Sequence, residues 1–504
     1  MAIDETLTAN DLRIPTSVDQ TGIPESLVED ILLRVLIAEG RPTMVRIAER
    51  MHCSVGMIET IAMSLRDRRL LEYEGLQGRT YLLSITEAGR TYSRTRSEEC
   101  RYAGPIPVPL DLYSRVVRAQ VPELSLNRDQ LSRAFSDLVL SPSLIDQLGP
   151  AICGDGAIFL YGPPGTGKSS IAERLIRAYA DSVLIPHTVV VEGQIINVFD
   201  PVLHEPVEDQ PTDLDPRWVL CQRPAIIAGG EMHAGMLDLS LDREVGTYLA
   251  PLQFKANNGI LVIDDFGRQN MTPEELLNRW IVPLDRQVDY LTLGGRKFQV
   301  PFEVKVVLST NLNPESLGDE AFFRRIHNKV YIGCLDDEQF GFVLARVAQA
   351  RKLQMTEAAA RRLRDSARGR GDGELRAYLP GVVCKLAQAI MRYENLPPIV
   401  TPELVDRVLE LYFAKSVEVG APTGTQVELD HRVDVAPNDA AGLMDAPAPA
   451  TEAPVAPLAA VSAPTNVAHA PASTPAAPAP STVNASPSPA LPAGSFAPPP
   501  LQQR

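Results

Sequence analysis

The sequence predicts an α/β core with a parallel sheet and flanking helices, followed by an all-α domain and preceded by a small winged-helix domain. A glycine-rich loop, Gly162–Ser169, stands between an apolar strand-like run and a helical pattern. Two further apolar runs end in polar residues at 264–265 and at 311, as buried parallel strands do. The stretch from 336 to 415 carries helical spacing only.

Composition limits the classes of protein to which the chain can belong. It has 504 residues, 45% of them hydrophobic, and a net charge of -15, which disfavours general attraction to nucleic acid or to anionic membranes. The six cysteines form no C-x-x-C pair and the seven histidines are dispersed, which favours reduced thiols in a cytoplasmic protein over a metal site. No apolar stretch approaches the ~20 residues of a membrane helix, so we expect no membrane insertion. Residues 1–20 lack the order of a secretory signal and are predicted to be a flexible lead.

Residues 21–103 are predicted to form the winged-helix domain. The pattern gives three helices and then a two-stranded wing, with Ser54 as the N-cap of the third helix. The predicted elements are Ser26–Ala38, Thr43–Met51, Val55–Asp67, Leu70–Glu74 and Thr80–Ser84.

The third helix has few of the side chains that read DNA bases. Its residues 55–65 include Glu59 and none of the Arg, Lys, Asn or Gln side chains that pair with base edges. Basic side chains that could touch phosphates come after residue 65 or stand at the wing tip, with Glu72 and Glu74 beside them; they are Arg66, Arg68, Arg69 and Arg79. This pattern favours protein docking or a structural wing over specific DNA binding.

A proline-rich linker at 104–120 leads to the nucleotide-binding domain, predicted at 121–333. Its loop fits G-x-x-x-x-G-K-[ST], in which glycines let backbone N–H groups surround phosphates and the helix N-terminus adds its positive end. Lys168 can reach the β- and γ-phosphates of ATP, and the Ser169 hydroxyl can bind Mg²⁺. The predicted phosphate-binding residues are Gly162, Pro163, Pro164, Gly165, Thr166, Gly167, Lys168, Ser169 and Ser170.

Polar residues after two other strands complete the predicted site. A parallel strand beside the loop ends in Asp264, which would hold Mg²⁺ through water, and Asp265, which would orient or deprotonate the attacking water. Asn311, after a third strand, can hydrogen-bond the same water. The paired arginines Arg324 and Arg325 can stabilise transition-state charge in a neighbouring subunit.

Two remaining segments have different characters. A helical domain is predicted at 334–420, and a disordered tail rich in Ala and Pro at 435–504, where too few apolar side chains remain to form a core. The segment between 186 and 257 has strand-like pieces at 188–191, 195–198 and 225–228, but its pattern indicates no role.

With these motifs in place, the chain resembles the AAA+ ATPases. Gly162–Ser169 is similar to Walker A, Ile260–Asp265 to Walker B, Asn311 to sensor 1, and Arg324 with Arg325 to the arginine-finger pair of Clp-type unfoldases. Residues 290–300 resemble the pre-sensor hairpin of the MoxR and helicase-related branches. The resemblance implies an ATP- and Mg²⁺-dependent enzyme with a helical lid, assembled as a homo-oligomeric ring, most simply a hexamer.

The chain is more closely similar to bacterial predicted ATPases with chaperone activity associated with Flp pilus assembly. The stretches 191–201, 263–269 and 277–283 carry that resemblance, which spans roughly residues 20–415. Two positions depart from the AAA+ pattern. Asp265 stands where Glu is usual, so hydrolysis is slow or works through a second water. Gly381 stands near the place where the resemblance puts a sensor 2 arginine, a role that Arg376, one helical turn away, can take instead.

The expected function is an ATPase that remodels an unidentified protein client. Two alternatives stay open: an ATP-gated DNA-binding regulator, and an ATP-binding scaffold with weak hydrolysis. ATP turnover separates the scaffold from the other two, and salt-dependent DNA binding that responds to nucleotide separates the regulator from the remodeller.

Overall fold

A computed structural model of the chain describes residues 7–78, 80–98, 100–122, 126–179, 181–314, 326–369 and 373–413. Arg79, Arg324, Arg325 and the predicted tail at 435–504 lie outside these residues. Within the described ranges no helix is both long enough and apolar enough to cross a bilayer.

The N-terminal region contains the predicted helices and hairpin. Its elements are α1 (Val18–Thr21), α2 (Glu25–Glu39), α3 (Met44–Met51), α4 (Val55–Asp67), β1 (Leu71–Gln77), β2 (Thr80–Ile85) and α5 (Glu87–Ser97). β1 and β2 pair antiparallel, and the apolar faces of α2, α3 and α4 form one buried cluster. The predicted N-cap is confirmed, since the Ser54 hydroxyl accepts the Met57 N–H at 3.3 Å.

The prediction of a flexible lead at 1–20 is wrong for residues 7–20. The Leu12 carbonyl accepts the Asp215 N–H at 2.8 Å, and Asp11 pairs with Arg115 at 3.2 Å. The buried Arg217 guanidinium, paired with Asp215 at 2.7 Å, donates to the Thr21 carbonyl at 3.2 Å. Polar composition predicted flexibility here because the buried partners are some 200 residues away in the sequence.

The central region begins at Val108 and contains most of the strands. Its strands are β3 (Val108–Pro109), β4 (Ile158–Tyr161), β5 (Ser182–Pro186), β6 (Thr188–Val191), β7 (Gln194–Asn197), β8 (Trp218–Gln222), β9 (Ala225–Ala228), β10 (Ser240–Asp242), β11 (Thr247–Leu249), β12 (Ile260–Ile263), β13 (Val288–Leu293), β14 (Arg296–Pro301), β15 (Lys305–Thr310) and β16 (Asn328–Tyr331). Its helices are α6 (Leu110–Ala119), α7 (Arg128–Ala134), α8 (Pro142–Cys153), α9 (Lys168–Arg174), α10 (Leu252–Lys255) and α11 (Pro273–Arg286).

The predicted parallel sheet is present as five strands in the order β16-β4-β15-β12-β9, all of them parallel. Apolar clusters cover both faces, one built around Trp280 and Phe159 and the other around Leu148 and Ile171. Burial on both faces explains why the inner strands read as continuous apolar runs. Ligands of such sheets bind at the carboxyl ends of the strands, where the polar residues stand.

The sequence predicts the Asp264–Asp265 strand beside the phosphate loop but gives no strand order. In the structure β15 pairs with both β4 and β12 and so separates these two strands. The insertion brings Asn311, at the end of β15, between the loop and the carboxylates.

A second sheet contains four strands of the segment at 186–257. It has the order β10-β11-β7-β6-β3, and β5 pairs with β8 alongside as an antiparallel ribbon. Of the predicted strand-like pieces, β6 and β7 belong to this sheet, whereas β9 is the edge strand of the parallel sheet. The predicted linker at 104–120 contains β3 and α6, whose apolar side chains pack in the core of the second sheet, so this segment is part of the folded body.

The predicted hairpin before β15 is confirmed. β13 and β14 pair antiparallel, with Leu291, Leu293 and Val300 buried in the core of the second sheet. Near the turn, Arg296 pairs with Glu192 at 3.2 Å. The hairpin therefore joins the parallel sheet to the second sheet.

The C-terminal described region is helical, with the helices where the periodicity predicts them. Its elements are α12 (Asp337–Ala350), β17 (Gln354–Met355), α13 (Glu357–Arg368), α14 (Tyr378–Glu394), β18 (Ile399–Val400) and α15 (Pro402–Tyr412). The four helices enclose one apolar cluster, and β17 pairs parallel with β18. Its first helix begins with a capping box between Asp336 and Gln339.

Candidate functional site

The glycine-rich loop joins β4 to α9 in a conformation that glycine alone adopts readily. Gly162, Gly165 and Gly167 have φ values of 145°, 78° and 99°. A Cβ on Gly162 would lie 2.2 Å from the Ile332 carbonyl oxygen, and one on Gly165 would lie 2.2 Å from Cδ1 of Tyr378. The loop is therefore packed closely from outside while its concave side faces a cavity.

Lys168 is buried at the base of this loop, with 6% of its surface exposed. Its ammonium donates to the carbonyls of Gly162 at 3.0 Å and Pro163 at 2.7 Å. Burial lowers the pKa of Lys168 below its ordinary value, and the nearby carboxylates of Asp264 and Asp265 oppose that shift. A buried cation whose hydrogen-bond partners in the described structure are neutral carbonyls is poised to take an anionic ligand.

Ser169 and Asp264 form the second element of the site. The Ser169 hydroxyl donates to Oδ1 of Asp264 at 2.9 Å, although the two residues are 95 positions apart. A hydroxyl and a carboxylate are hard oxygen donors of the kind that bind Mg²⁺ together with phosphate oxygens and water. In the described part of the chain no group of three or more His, Cys, Asp or Glu side chains is placed to hold a metal ion.

Asp265 and Asn311 form the third element, also at the carboxyl edge of the sheet. The Asn311 amide donates to Oδ1 of Asp265 at 3.1 Å. Asp265 is exposed and has a left-handed backbone, with φ at 48°. Its carboxylate is thus presented to solvent beside the loop and held at one oxygen by Asn311.

The helical region closes the site over a cavity of about 400 Å³. Besides the loop, Asp265 and Asn311, side chains that the motifs did not indicate line this cavity; among them are Leu138, Leu140, Val343, Arg346, Val347 and Tyr378. A mainly apolar wall opposite a phosphate-binding loop suits a nucleobase. No short motif marks these positions, because their proximity arises from packing of α12 and α14 against the loop.

Tyr378 connects the helical region to the phosphate loop. Its N–H donates to the Gly165 carbonyl at 3.2 Å, and its ring occupies the space beside the Gly165 Cα. Arg346 makes a second contact, donating to the Leu138 carbonyl at 3.1 Å. These two hydrogen bonds link α14 to the phosphate loop and α12 to residue 138.

Arg376, the candidate for sensor 2, lies next to the cavity wall. Arg376 lies 4.0 Å from the Glu374 carboxylate, and Ala377 and Tyr378 form the cavity wall next to it. Gly381 lies one turn into α14 with open space around it. The role of Arg376 stays a prediction.

Three of the described histidines, His52, His187 and His204, contact other rings or the backbone. His187 stacks edge-on with His52 and Phe199, and burial together with the nearby His52 lowers the pKa of His187 to about 4. Nδ1 of His204 accepts the Asp200 N–H at 2.9 Å.

Replacing Gly165 by alanine is expected to weaken ATP binding and lower the melting temperature. The left-handed backbone costs about 1–2 kcal/mol with a Cβ, and that Cβ would overlap Tyr378. The matched control is Gly341→Ala, because Gly341 lies within α12 with open space around it; alanine there should add about 0.5–1 kcal/mol of stability. Calorimetric titration and thermal unfolding of both variants check this, and equal effects would contradict it.

Comparison with known proteins gives a family match and distant structural likenesses. Residues 336–411 match a family described as a domain of unknown function, DUF8689, and no curated protein matches the chain. A variant of RuvB from Thermotoga maritima is 15% identical, with 57% of this chain and 73% of that chain covered and a TM-score of 0.32. The T. maritima RuvB Holliday junction branch migration motor is 13% identical, with 58% of this chain and 72% of that chain covered and a TM-score of 0.31. NtrX from Brucella abortus in complex with ADP is 16% identical, with 63% and 65% covered and a TM-score of 0.35. Since these TM-scores lie below 0.5, the interpretation of the site rests on its own geometry.

Proposed function

We propose that this chain is an AAA+-type ATPase that hydrolyses ATP with Mg²⁺ and uses the energy to remodel a protein client. One observation carries the proposal: Lys168, the Ser169–Asp264 pair and the Asp265–Asn311 pair lie at one edge of the parallel sheet. They combine a buried cation, a hydroxyl–carboxylate donor set and an exposed carboxylate around a glycine loop. Phosphoryl transfer requires these parts together.

The proposed reaction uses each group in one role. The oxygen of a water forms a bond to the γ-phosphorus while the bond from that phosphorus to the bridging oxygen of ADP breaks. Asp265 orients the water and accepts its proton, and Asn311 holds the carboxylate and the water in register. Lys168 stabilises charge on the phosphates. Mg²⁺, held by Ser169 and Asp264, would neutralise charge on the β- and γ-oxygens.

The contacts between the helical region and the loop suggest how hydrolysis becomes motion. Tyr378 and Arg346 tie α14 and α12 to the loop and to residue 138, so a change at the γ-phosphate would alter the angle of the helical region. In a homo-oligomeric ring, proposed as a hexamer, a neighbouring subunit would supply Arg324 or Arg325. The hairpin β13–β14 would carry the motion to the second sheet.

The N-terminal region is proposed to recruit a protein rather than DNA. Arg68 pairs with Glu29 at 2.7 Å, and Arg66 lies over the Tyr73 ring and 3.4 Å from Asp67. Arginines engaged with acids are less available to phosphates, and binding DNA would require breaking those pairs.

A catalytically weak ATP-binding scaffold is the second candidate. Asp265 favours it, because its carboxylate is one methylene shorter than the usual glutamate, and so does Gly381 at the position near sensor 2. Such a scaffold would bind ATP through the same loop and cavity. Turnover therefore distinguishes the two candidates, and binding does not.

The test is phosphate release by the purified chain with ATP and Mg²⁺. We expect turnover on the order of 1 s⁻¹ or above, with light scattering reporting an oligomer under saturating nucleotide. ATP binding with turnover no higher than that of Lys168→Ala would support the scaffold. Low-salt DNA affinity that changes with nucleotide and vanishes on combined Arg66, Arg68 and Arg69 to Ala substitution would support a DNA-binding regulator.

A further inference from the structure

The turn that follows β12 holds Asp265 in an uncommon conformation. Asp265 has φ at 48°, and Gly267, two residues later, has φ at 101°. L-residues other than Gly, Asn and Asp rarely adopt a left-handed backbone, and such conformations persist where surrounding contacts fix them and gather at functional sites. The contacts that fix this turn therefore determine where the Asp265 carboxylate points.

The residues on either side of Asp265 are fixed to neighbouring strands. The Asp264 N–H donates to the Ala228 carbonyl at 2.9 Å, which continues the ladder between β12 and β9. The Phe266 N–H donates to the Ser309 carbonyl at 2.7 Å, and the buried Phe266 ring anchors the turn. The backbone therefore changes its hydrogen-bond partner from β9 to β15 between Asp264 and Phe266, on either side of Asp265.

Gln269 closes this turn from inside with its side chain. Its amide nitrogen donates to the Asp264 carbonyl at 2.9 Å and the Asp265 carbonyl at 3.2 Å. Its amide oxygen accepts the Gly267 N–H at 2.8 Å. An uncharged amide of this length is the side chain that satisfies two carbonyls and one N–H at once.

We propose that Gln269 is a positioning residue that locks Asp265 in its left-handed conformation and so aims the carboxylate at Asn311 and the attacking water. This inference rests on the proposed ATPase function. It also accounts for aspartate at position 265. Aspartate tolerates a left-handed backbone better than glutamate, and the turn brings the short carboxylate within 3.1 Å of the Asn311 amide. Asp265, in place of the usual glutamate, and Gln269 then form one two-residue arrangement.

The experiment compares Gln269→Glu and Gln269→Met with the full-length wild type. Glutamate keeps an oxygen that can accept the Gly267 N–H but has no N–H to donate to the Asp264 and Asp265 carbonyls. Methionine has a similar length but makes neither kind of hydrogen bond. Both should lower kcat by about 10- to 100-fold, because misplacement of a catalytic group by about 1 Å has that effect. KM and ATP affinity should stay within about threefold of wild type, since the phosphate loop is untouched.

A double-mutant cycle that combines Gln269→Met with Asp265→Asn distinguishes positioning of Asp265 from a general structural role of Gln269. If Gln269 acts through Asp265, adding Gln269→Met to Asp265→Asn should lower kcat no further. Wild-type kcat in both Gln269 variants, or full additivity in the double variant, would overturn the inference. A parallel fall in ATP affinity and melting temperature would do the same, because it would make Gln269 a structural residue. Wild-type turnover at the level of Lys168→Ala would instead overturn the proposed ATPase function.

Discussion

Replacing Lys168 by alanine is expected to weaken ATP binding by at least about 100-fold and to reduce turnover to background. The ammonium is the buried cation at the base of the phosphate loop, and in the described structure its hydrogen-bond partners are the neutral carbonyls of Gly162 and Pro163. A triphosphate would replace these partners with charged oxygens, so its affinity depends on this one group. Calorimetric titration with ATP–Mg²⁺ measures the loss directly.

Lys385→Ala is the matched control for this prediction. Lys385 is exposed on α14, and the same substitution there removes a charge without touching the loop. It should leave the ATP dissociation constant within about threefold of wild type. Equal affinity in Lys168→Ala and Lys385→Ala would contradict the assignment of Lys168 to the phosphates.

The depressed pKa of Lys168 adds a pH dependence with a defined sign. Because burial favours the neutral amine, the free protein loses this charge at a lower pH than an ordinary lysine does. Phosphate binding favours the ammonium, so at alkaline pH binding must be accompanied by proton uptake. ATP affinity should therefore fall as the pH rises towards the lowered pKa of Lys168, at a lower pH than an ordinary lysine would give, and this fall should be smaller in Lys168→Ala.

The sequence predicts which motif residues lie together better than it predicts what encloses them. The proximity of Gly162–Ser169, Asp264, Asp265 and Asn311 was predictable because each follows an apolar strand, and the carboxyl ends of parallel strands meet at one edge. Tyr378 and Arg346 could not, because their positions depend on how the helical region packs against the loop. Contacts between distant segments leave no local pattern to read.

The same limit explains the errors in the fold. Strand order could not be deduced from chain order, so the insertion of β15 between β4 and β12 was not predicted. The segment at 186–257 contains short strands of three different sheets, and local propensity gives no indication of which sheet each joins. The contacts of residues 7–20 could not be predicted, because the Asp215 N–H that binds the Leu12 carbonyl is far away in the sequence.

Replacing Asp265 by asparagine is expected to lower kcat by about 10²–10⁴-fold, the usual contribution of a general base, while ATP stays bound. Asparagine has nearly the same shape and tolerates the left-handed backbone at φ 48°, and its side-chain oxygen can still accept from Asn311. The substitution therefore removes the proton acceptor and leaves the turn intact. Single-turnover hydrolysis and retention of labelled ATP on the protein measure the two effects separately.

Two further variants define what the Asp265→Asn result means. Asp67→Asn, at a carboxylate with 73% of its side chain exposed on the N-terminal region, should leave kcat unchanged. Asp265→Glu restores the residue usual in AAA+ ATPases, yet in this turn the longer side chain would extend past the position that Asn311 holds, so we expect lower turnover than with aspartate. If Asp265→Glu exceeded the wild type, the short carboxylate would be a defect of a weak ATPase, and the left-handed turn held by Gln269 would not compensate for it. If Asp265→Asn kept wild-type turnover, the proton would have another acceptor, and Asp265 would serve only to hold Asn311.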